Sequence, residues 1–431
     1  MITLDDAAAV PPVYGTRQTP VANSLVNGAL FLVILISPFV FIEPSPYEAA
    51  AAILGFLCIS ARVTVDRKLL SLIVLLLLWN VGGLGAAIPV LGQDKTFQFV
   101  SVSLFLAMTA VIYACLFAQG DAQRLSLLRT AYILAGLVAS IIGIIGYFDL
   151  FPGAREAFAT MDRAQSTFKD PNVFGPFLIF PILILMQTLL SDRIRLLPLF
   201  TLLIMLLGLF LSFSRGAWFH FTLSVATMVG LMLLTAADLR ARGRLITIVT
   251  VMLVGFAALL TFALSFEVIG EMFSERAKLF QSYDAGTDKG RFYLQFLALT
   301  EVLQNPFGLG PFEFSRIYGL QQHNVYLQAF LVYGWLGGVS YIVLILLTLG
   351  IGFRAVLVAT PWQPFLIVGM ATFLGAVAEG AVIDTDHWRH FFLLLGIIWG
   401  LAVATMNYSR GTSAASQRNA IRPAEDRERR N

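Results

Sequence analysis

Long apolar runs separated by short polar breaks dominate this chain. Runs close to the roughly 20 residues a helix needs to cross a bilayer core predict about twelve helices. They lie near 25–42, 46–61, 69–91, 97–118, 127–150, 172–191, 196–213, 217–237, 245–266, 322–351, 363–384 and 388–406. The second follows "EPSPY", so 25–61 reads as a tight hairpin. Two breaks are long, near 151–171 and 267–321. In the second, "EMFSERAKLF" is amphipathic, and "RFYLQFLALTEVLQNP" has helical spacing that stops at Asn305 before Pro306. Asp288 is placed to cap that helix, which puts Arg291 in its first turn. Residues 1–24 form a polar N-terminal segment, and the mixed-charge tail 407–431 reads as disordered.

Composition agrees with an all-α polytopic membrane protein. Hydrophobic residues make up 58% and charged residues 13%, against about 45–50% and about 25% in ordinary soluble domains. The N-terminal segment has Asp5, Asp6 and Arg17 but no basic region leading to a cleavage site, so no removable signal peptide is read. With the N-terminus inside, Arg62, Arg67, Lys68, Arg124, Arg129, Arg193, Arg195, Arg240, Arg242, Arg244 and Arg354 all fall in inner loops. That alternation gives an even number of spans, with both termini cytoplasmic. Cys58 and Cys115, both in apolar runs, read as packing residues.

The outer side then holds the unexpected charges. Arg155, Arg163, Lys169, Arg276, Lys278, Lys289, Arg291 and Arg316 lie in the two long breaks. Arg215 is the only formally charged side chain between Leu196 and Ala237. An arginine snorkelling at the interface would fit. So would one lining a cavity, because Ser212, Ser214 and Gly216 leave room for a ligand. Arg291 at a helix start could clamp an anion or simply lie at the interface. Arg163 and Lys169 fit substrate or headgroup contact equally. His323 begins a span at the outer surface, where an imidazole could take a proton from a hydroxyl; Asn324 could orient the ring or a sugar. Glu379 lies near an outer helix end, a candidate partner for a buried arginine. Asp384, Asp386, His387, Arg389 and His390 crowd the next turn. Asp384-Thr385-Asp386 has a spacing that elsewhere holds a metal–nucleotide-sugar complex, but such sugars are cytoplasmic. The turn reads instead as support for a cavity, with no metal or other cofactor.

"RAQSTFKDPNVFGPFL", "LSFSRGAWF", "GRFYLQFLAL…NPFGLGPFEF" and "QQHNVYLQAFLVYGWLGG", in this order, resemble the O-antigen ligase and Wzy-type polysaccharide polymerase superfamily of bacterial inner membranes. The resemblance covers roughly residues 70–405, and the whole 25–406 region reads as one such domain. It implies a multi-span, GT-C-like, metal-independent glycosyltransferase with a periplasmic site. The donor would be a glycan on undecaprenyl pyrophosphate. The acceptor would be lipid A-core in a ligase and another lipid-linked repeat unit in a polymerase of O-antigen or exopolysaccharide. The resemblance matches Arg215 and Arg291 to the family's pyrophosphate-binding arginines and His323 to its catalytic histidine. Arg163, Lys169, Ser214, Asn324, Glu379, Asp384 and His387 would contact substrate or support the site. The expected partners are donor, acceptor, membrane lipids and other polysaccharide-export proteins, with no nucleic acid. A lipid-linked oligosaccharide flippase and a membrane-bound acyltransferase are the alternatives. A protein-glycosylating transferase is a further possibility within the family.

Overall fold

The computed structural model describes residues 19–41, 44–191, 195–264 and 290–428. Helices α1 to α5 span Pro20–Leu35, Pro46–Ser60, Leu70–Ala87, Thr96–Phe117 and Ala122–Tyr147. A short helix α6 (Ala154–Phe158) and a two-stranded ribbon follow, β1 (Ala159–Thr160) against β2 (Arg163–Ala164), antiparallel. Helices α7 to α10 span Pro171–Ser191, Leu196–Leu211, Arg215–Thr235 and Leu239–Leu264. Then come α11 (Arg291–Gln304), α12 (Glu313–Tyr318), α13 (Val325–Val356), α14 (Gln363–Glu379) and α15 (Arg389–Glu428).

Each predicted apolar run falls in a helix. Among the described residues, seven helices are long and apolar enough to cross a membrane, and four apolar helices are shorter. The chain is an all-α polytopic membrane protein. Helix boundaries follow local chemistry. Pro38 lies just past the end of α1, and Ser37 Oγ donates to Ile34 O at 2.7 Å there. A capping box of Ser45 and Glu48 with Pro46 at the first position starts α2, completing the predicted hairpin. From residue 407, where the sequence predicts disorder, the structure continues α15 to Glu428. That stretch is rich in Ala and Arg, which favour helix.

Apolar surface alone does not drive helices together in lipid, so close approach depends on small residues. A Cβ on Gly82 of α3 would lie 2.3 Å from Tyr333 O of α13, and one on Gly337 would lie 3.1 Å from Trp79 O. Gly396 and Gly400 of α15 meet α4 in the same way, with Ala110 O and Ala114 O each 2.7 Å from the added Cβ. Helices α7 and α15 are the most enclosed spans. A buried arginine, Arg124, is fully engaged: it donates to Asn27, Asn23 and the otherwise open carbonyl of Leu116. In this position it secures the end of α4.

Helix α13 is broken at Gly334, whose φ of 64° and ψ of −177° no side chain tolerates well. The loop after α11 fills the break. Leu309 N donates to Leu331 O at 2.7 Å, and Trp335 N donates to Pro306 O at 2.8 Å. Backbone groups freed by the break are thereby paired again, as a membrane environment demands. The break sets the upper part of α13, residues 325–333, apart from the span below.

Candidate active site at one end of the bundle

The connections 148–170, 212–214, 305–324 and 380–388 lie at one end of the bundle, and specific bonds tie them together. The first is the corner between α8 and α9. Ser212 and Phe213 make the turn, with Phe213 at a positive φ of 43°. Ser214 then caps α9, accepting from Ala217 N at 3.3 Å, and half-buried Arg215 is the first helical residue. Arg163 reaches this corner from the ribbon. Its Nε donates to Ser212 O at 2.9 Å, and its guanidinium also donates to Asn172 Oδ1 at 2.6 Å. Arg163 thus straps two loops together. Lys169, exposed in the turn before α7, is not part of those bonds.

The turn after α14 is the second element. Glu379 is 1% exposed, and its partner is a histidine rather than the arginine expected from the sequence. His220 Nδ1 lies 2.8 Å from Glu379 Oε2, and His220 Nε2 donates to Thr372 O at 2.9 Å. A carboxylate this enclosed needs such a partner, and no arginine is needed for it. Farther along, Asp384 Oδ1 accepts from Asn324 N at 3.0 Å and Gln322 Nε2 at 3.4 Å, while its Oδ2 lies 3.6 Å from His323 Nδ1. Burial pushes the Asp384 carboxyl above the ordinary aspartate range, Asp386 adds to this, and His323 and Asn324 oppose it. Asp386 faces another way, accepting from Tyr333 Oη at 3.0 Å and sitting 3.3 Å from His387 Nδ1. His387 Nε2 in turn meets Ser103 Oγ at 3.0 Å. The two carboxylates of the Asp-Thr-Asp run therefore serve different partners, and His387 belongs with Asp386 rather than with His323.

The third element brings His323 to this turn. Asn324 caps α13 through its Oδ1, which accepts from Tyr326 N and Leu327 N at 3.0 and 3.1 Å. Its Nδ2 donates to Ala381 O at 3.0 Å, and Val325 N donates to Gly380 O at 2.8 Å. His323 itself has a positive φ of 48° and a side chain 48% exposed. A non-glycine residue held in that conformation is costly and tends to occur at functional sites. With Nδ1 facing Asp384, Nε2 is the nitrogen left toward solvent.

The fourth element is α11, whose N-cap is Gly290 and whose first residue is Arg291. Asp288, the expected cap, lies outside the described residues, as do "EMFSERAKLF" and Lys289. The helix buries Leu294, Ala298 and Val302 against Leu331 of α13. Gln295 Nε2 donates to His323 O and Ala381 O, each at 3.4 Å. Arg291 is one helical turn before Gln295 and shares its face, the one turned to His323.

Residues 200–342 match the family model described as O-antigen ligase. That stretch, 143 of the 431 residues, is similar to the O-antigen ligase family. The match runs from α8 through the upper half of α13 and includes Arg215, Arg291 and His323, while Arg163, Glu379, Asp384 and His387 lie outside it. No curated protein matches the chain. Within the matched stretch, His220 is the residue that the pattern of charges overlooks. Its signal was a polar side chain inside an apolar span, close behind Arg215.

Proposed function

We propose that this chain is a membrane glycosyltransferase. It would move a glycan from undecaprenyl pyrophosphate to an acceptor hydroxyl at the periplasmic face of a bacterial inner membrane, in a GT-C-like bundle of twelve spans with both termini inside. The observation that carries this reading is the convergence of an arginine corner, an arginine-led helix and a half-exposed histidine on one outer turn. Arg215 and Arg291 each open a helix, so each is placed at a positive helix end. Such an arrangement favours the pyrophosphate, whose charge grows as it leaves.

In the reaction, the acceptor oxygen attacks the anomeric carbon as the bond to the pyrophosphate oxygen breaks. The acceptor proton passes to His323 Nε2, and undecaprenyl pyrophosphate leaves as the anion held by the arginines. Asp384 orients the imidazole through Nδ1. Ser214 shapes the arginine corner, Asn324 sets the start of α13, and Lys169 offers a further outer cation. A ligase would pass the glycan to lipid A-core, and a polymerase would pass it to another lipid-linked repeat unit.

The test is the length of glycan on undecaprenyl pyrophosphate in cells whose only copy carries His323→Ala. Single repeat units accumulating would identify a polymerase, and long chains stranded on the carrier would identify a ligase. Normal surface polysaccharide with no accumulation would overturn the role of His323. A flippase would move the lipid-linked glycan with its linkage intact and would keep activity in this variant.

A further inference from the structure

We propose that His220 and Glu379 form a positioning pair that keeps Arg215 in register with His323, sharing one proton as a neutral unit. This rests on the transferase reading above.

The pair lies at the point where the site elements meet. A Cβ on Gly216, the residue after Arg215, would be 2.8 Å from Glu379 Oε1, so the start of α9 is pressed against this carboxyl group. A Cβ on Gly375 would be 2.2 Å from His220 Cδ2, so the ring is wedged between α9 and α14. One residue beyond Glu379, Gly380 O accepts from Val325 N, and Ala381 O then accepts from both Asn324 and Gln295. Asp384 completes the turn beside His323. The segment 379–384 therefore touches every element that carries a proposed catalytic side chain, and the His220 contact fixes its origin.

The proton count follows from donor chemistry. A carbonyl only accepts, so the bond to Thr372 O requires a proton on His220 Nε2. One further proton lies between Nδ1 and Oε2, whichever atom owns it, and the pair is neutral in either case. A neutral pair can stay enclosed beside an arginine corner without the cost of an isolated buried charge.

The experiment uses purified full-length chain turning over an undecaprenyl-pyrophosphate-linked oligosaccharide with its acceptor. It compares His220→Asn with His220→Gln. The Asn nitrogen falls where Nδ1 sits and keeps the contact to Glu379. The Gln nitrogen falls where Nε2 sits and keeps only the contact to Thr372. Each loses one hydrogen bond, so a packing role alone predicts equal effects. Positioning predicts that His220→Gln lowers kcat about 10- to 100-fold, the scale of a 1 Å misplacement, with little change in donor KM and a melting temperature matching that of His220→Asn. His220→Asn keeps most of the rate. Equal losses, a loss that tracks melting temperature, or no loss in His220→Gln would overturn the inference. If either variant fails to fold, Glu379→Gln and Glu379→Ala replace them, with rate retained only in the first. Arg215→Ala and His323→Ala run alongside. Full transfer in those two would refute the transferase reading itself, whereas their failure beside an active His220→Gln would refute only the positioning pair.

Discussion

Gly82→Ala tests the close packing between α3 and α13. The added methyl would meet Tyr333 O at 2.3 Å, Gly337 N at 2.7 Å and Gly337 Cα at 3.0 Å. All three are backbone atoms, so no side chain can swing aside. Relief requires the helices to part by about 1 Å, and a gap of that size forfeits roughly a quarter to a half of each dispersion contact across the seam. Overpacking of this kind costs about 1–3 kcal/mol. Gly85, three residues on in the same helix, has nothing within 4 Å of its would-be Cβ. Gly85→Ala should therefore be neutral, or stabilising by up to about 1 kcal/mol through helix propensity. The comparison is a denaturant titration of both variants in the same detergent, followed by near-ultraviolet circular dichroism, since Trp79 and Tyr333 lie in this seam with ring centroids 5.2 Å apart. Equal midpoints for the two variants would refute the close approach. So would a loss in Gly85→Ala alone.

Other outcomes can be checked independently. Arg215→Ala and Arg291→Ala should each lower turnover about 100- to 1,000-fold, the usual loss for one donor aimed at developing charge; Lys at either position should recover it only in part, and an unchanged rate would remove that arginine from the site. Gly334→Ala should destabilise by about 1–3 kcal/mol because its backbone conformation is essentially reserved for glycine, and wild-type stability in a melting series would contradict the break in α13. The raised Asp384 carboxyl binds its proton more tightly in the folded chain, so stability should fall as pH rises from about 3.9 through the raised value. Asp384→Asn should lose that slope, and a difference between wild type and variant that is flat, or that rises with pH, would count against it.

Helix positions were legible because their signals are local: long apolar runs, the "EPSPY" break, and Asn305 ahead of Pro306. In the sequence, the charged residues of the two long breaks stood out as exceptions to the expected sorting of basic loops. Partners were not legible. Glu379 found His220 across 159 positions, and Arg163 found the carbonyl of Ser212. Neither bond leaves a mark near either residue, because each depends on how helices pack. The break at Gly334 was equally hidden. Its glycine sits in an unbroken apolar run, and only the returning loop at 306–310 shows why the helix can open there.

That loop also decides what can redirect the proposed base. The loop holds α13 on both sides of Gly334, through Leu331 and through Trp335, so only the span beyond Trp335 is left to tilt with its neighbours. Residues 325–333 are tied further, through Val325 and Asn324, to the turn at Gly380 and Ala381. The aim of His323 is therefore inherited from its surroundings at the surface and not from the span that carries it. Substitutions deep in the lower span should change stability while sparing the direction of the imidazole. Small changes at Pro306 or Leu309 should steer it from a distance, without touching any group that meets the substrate.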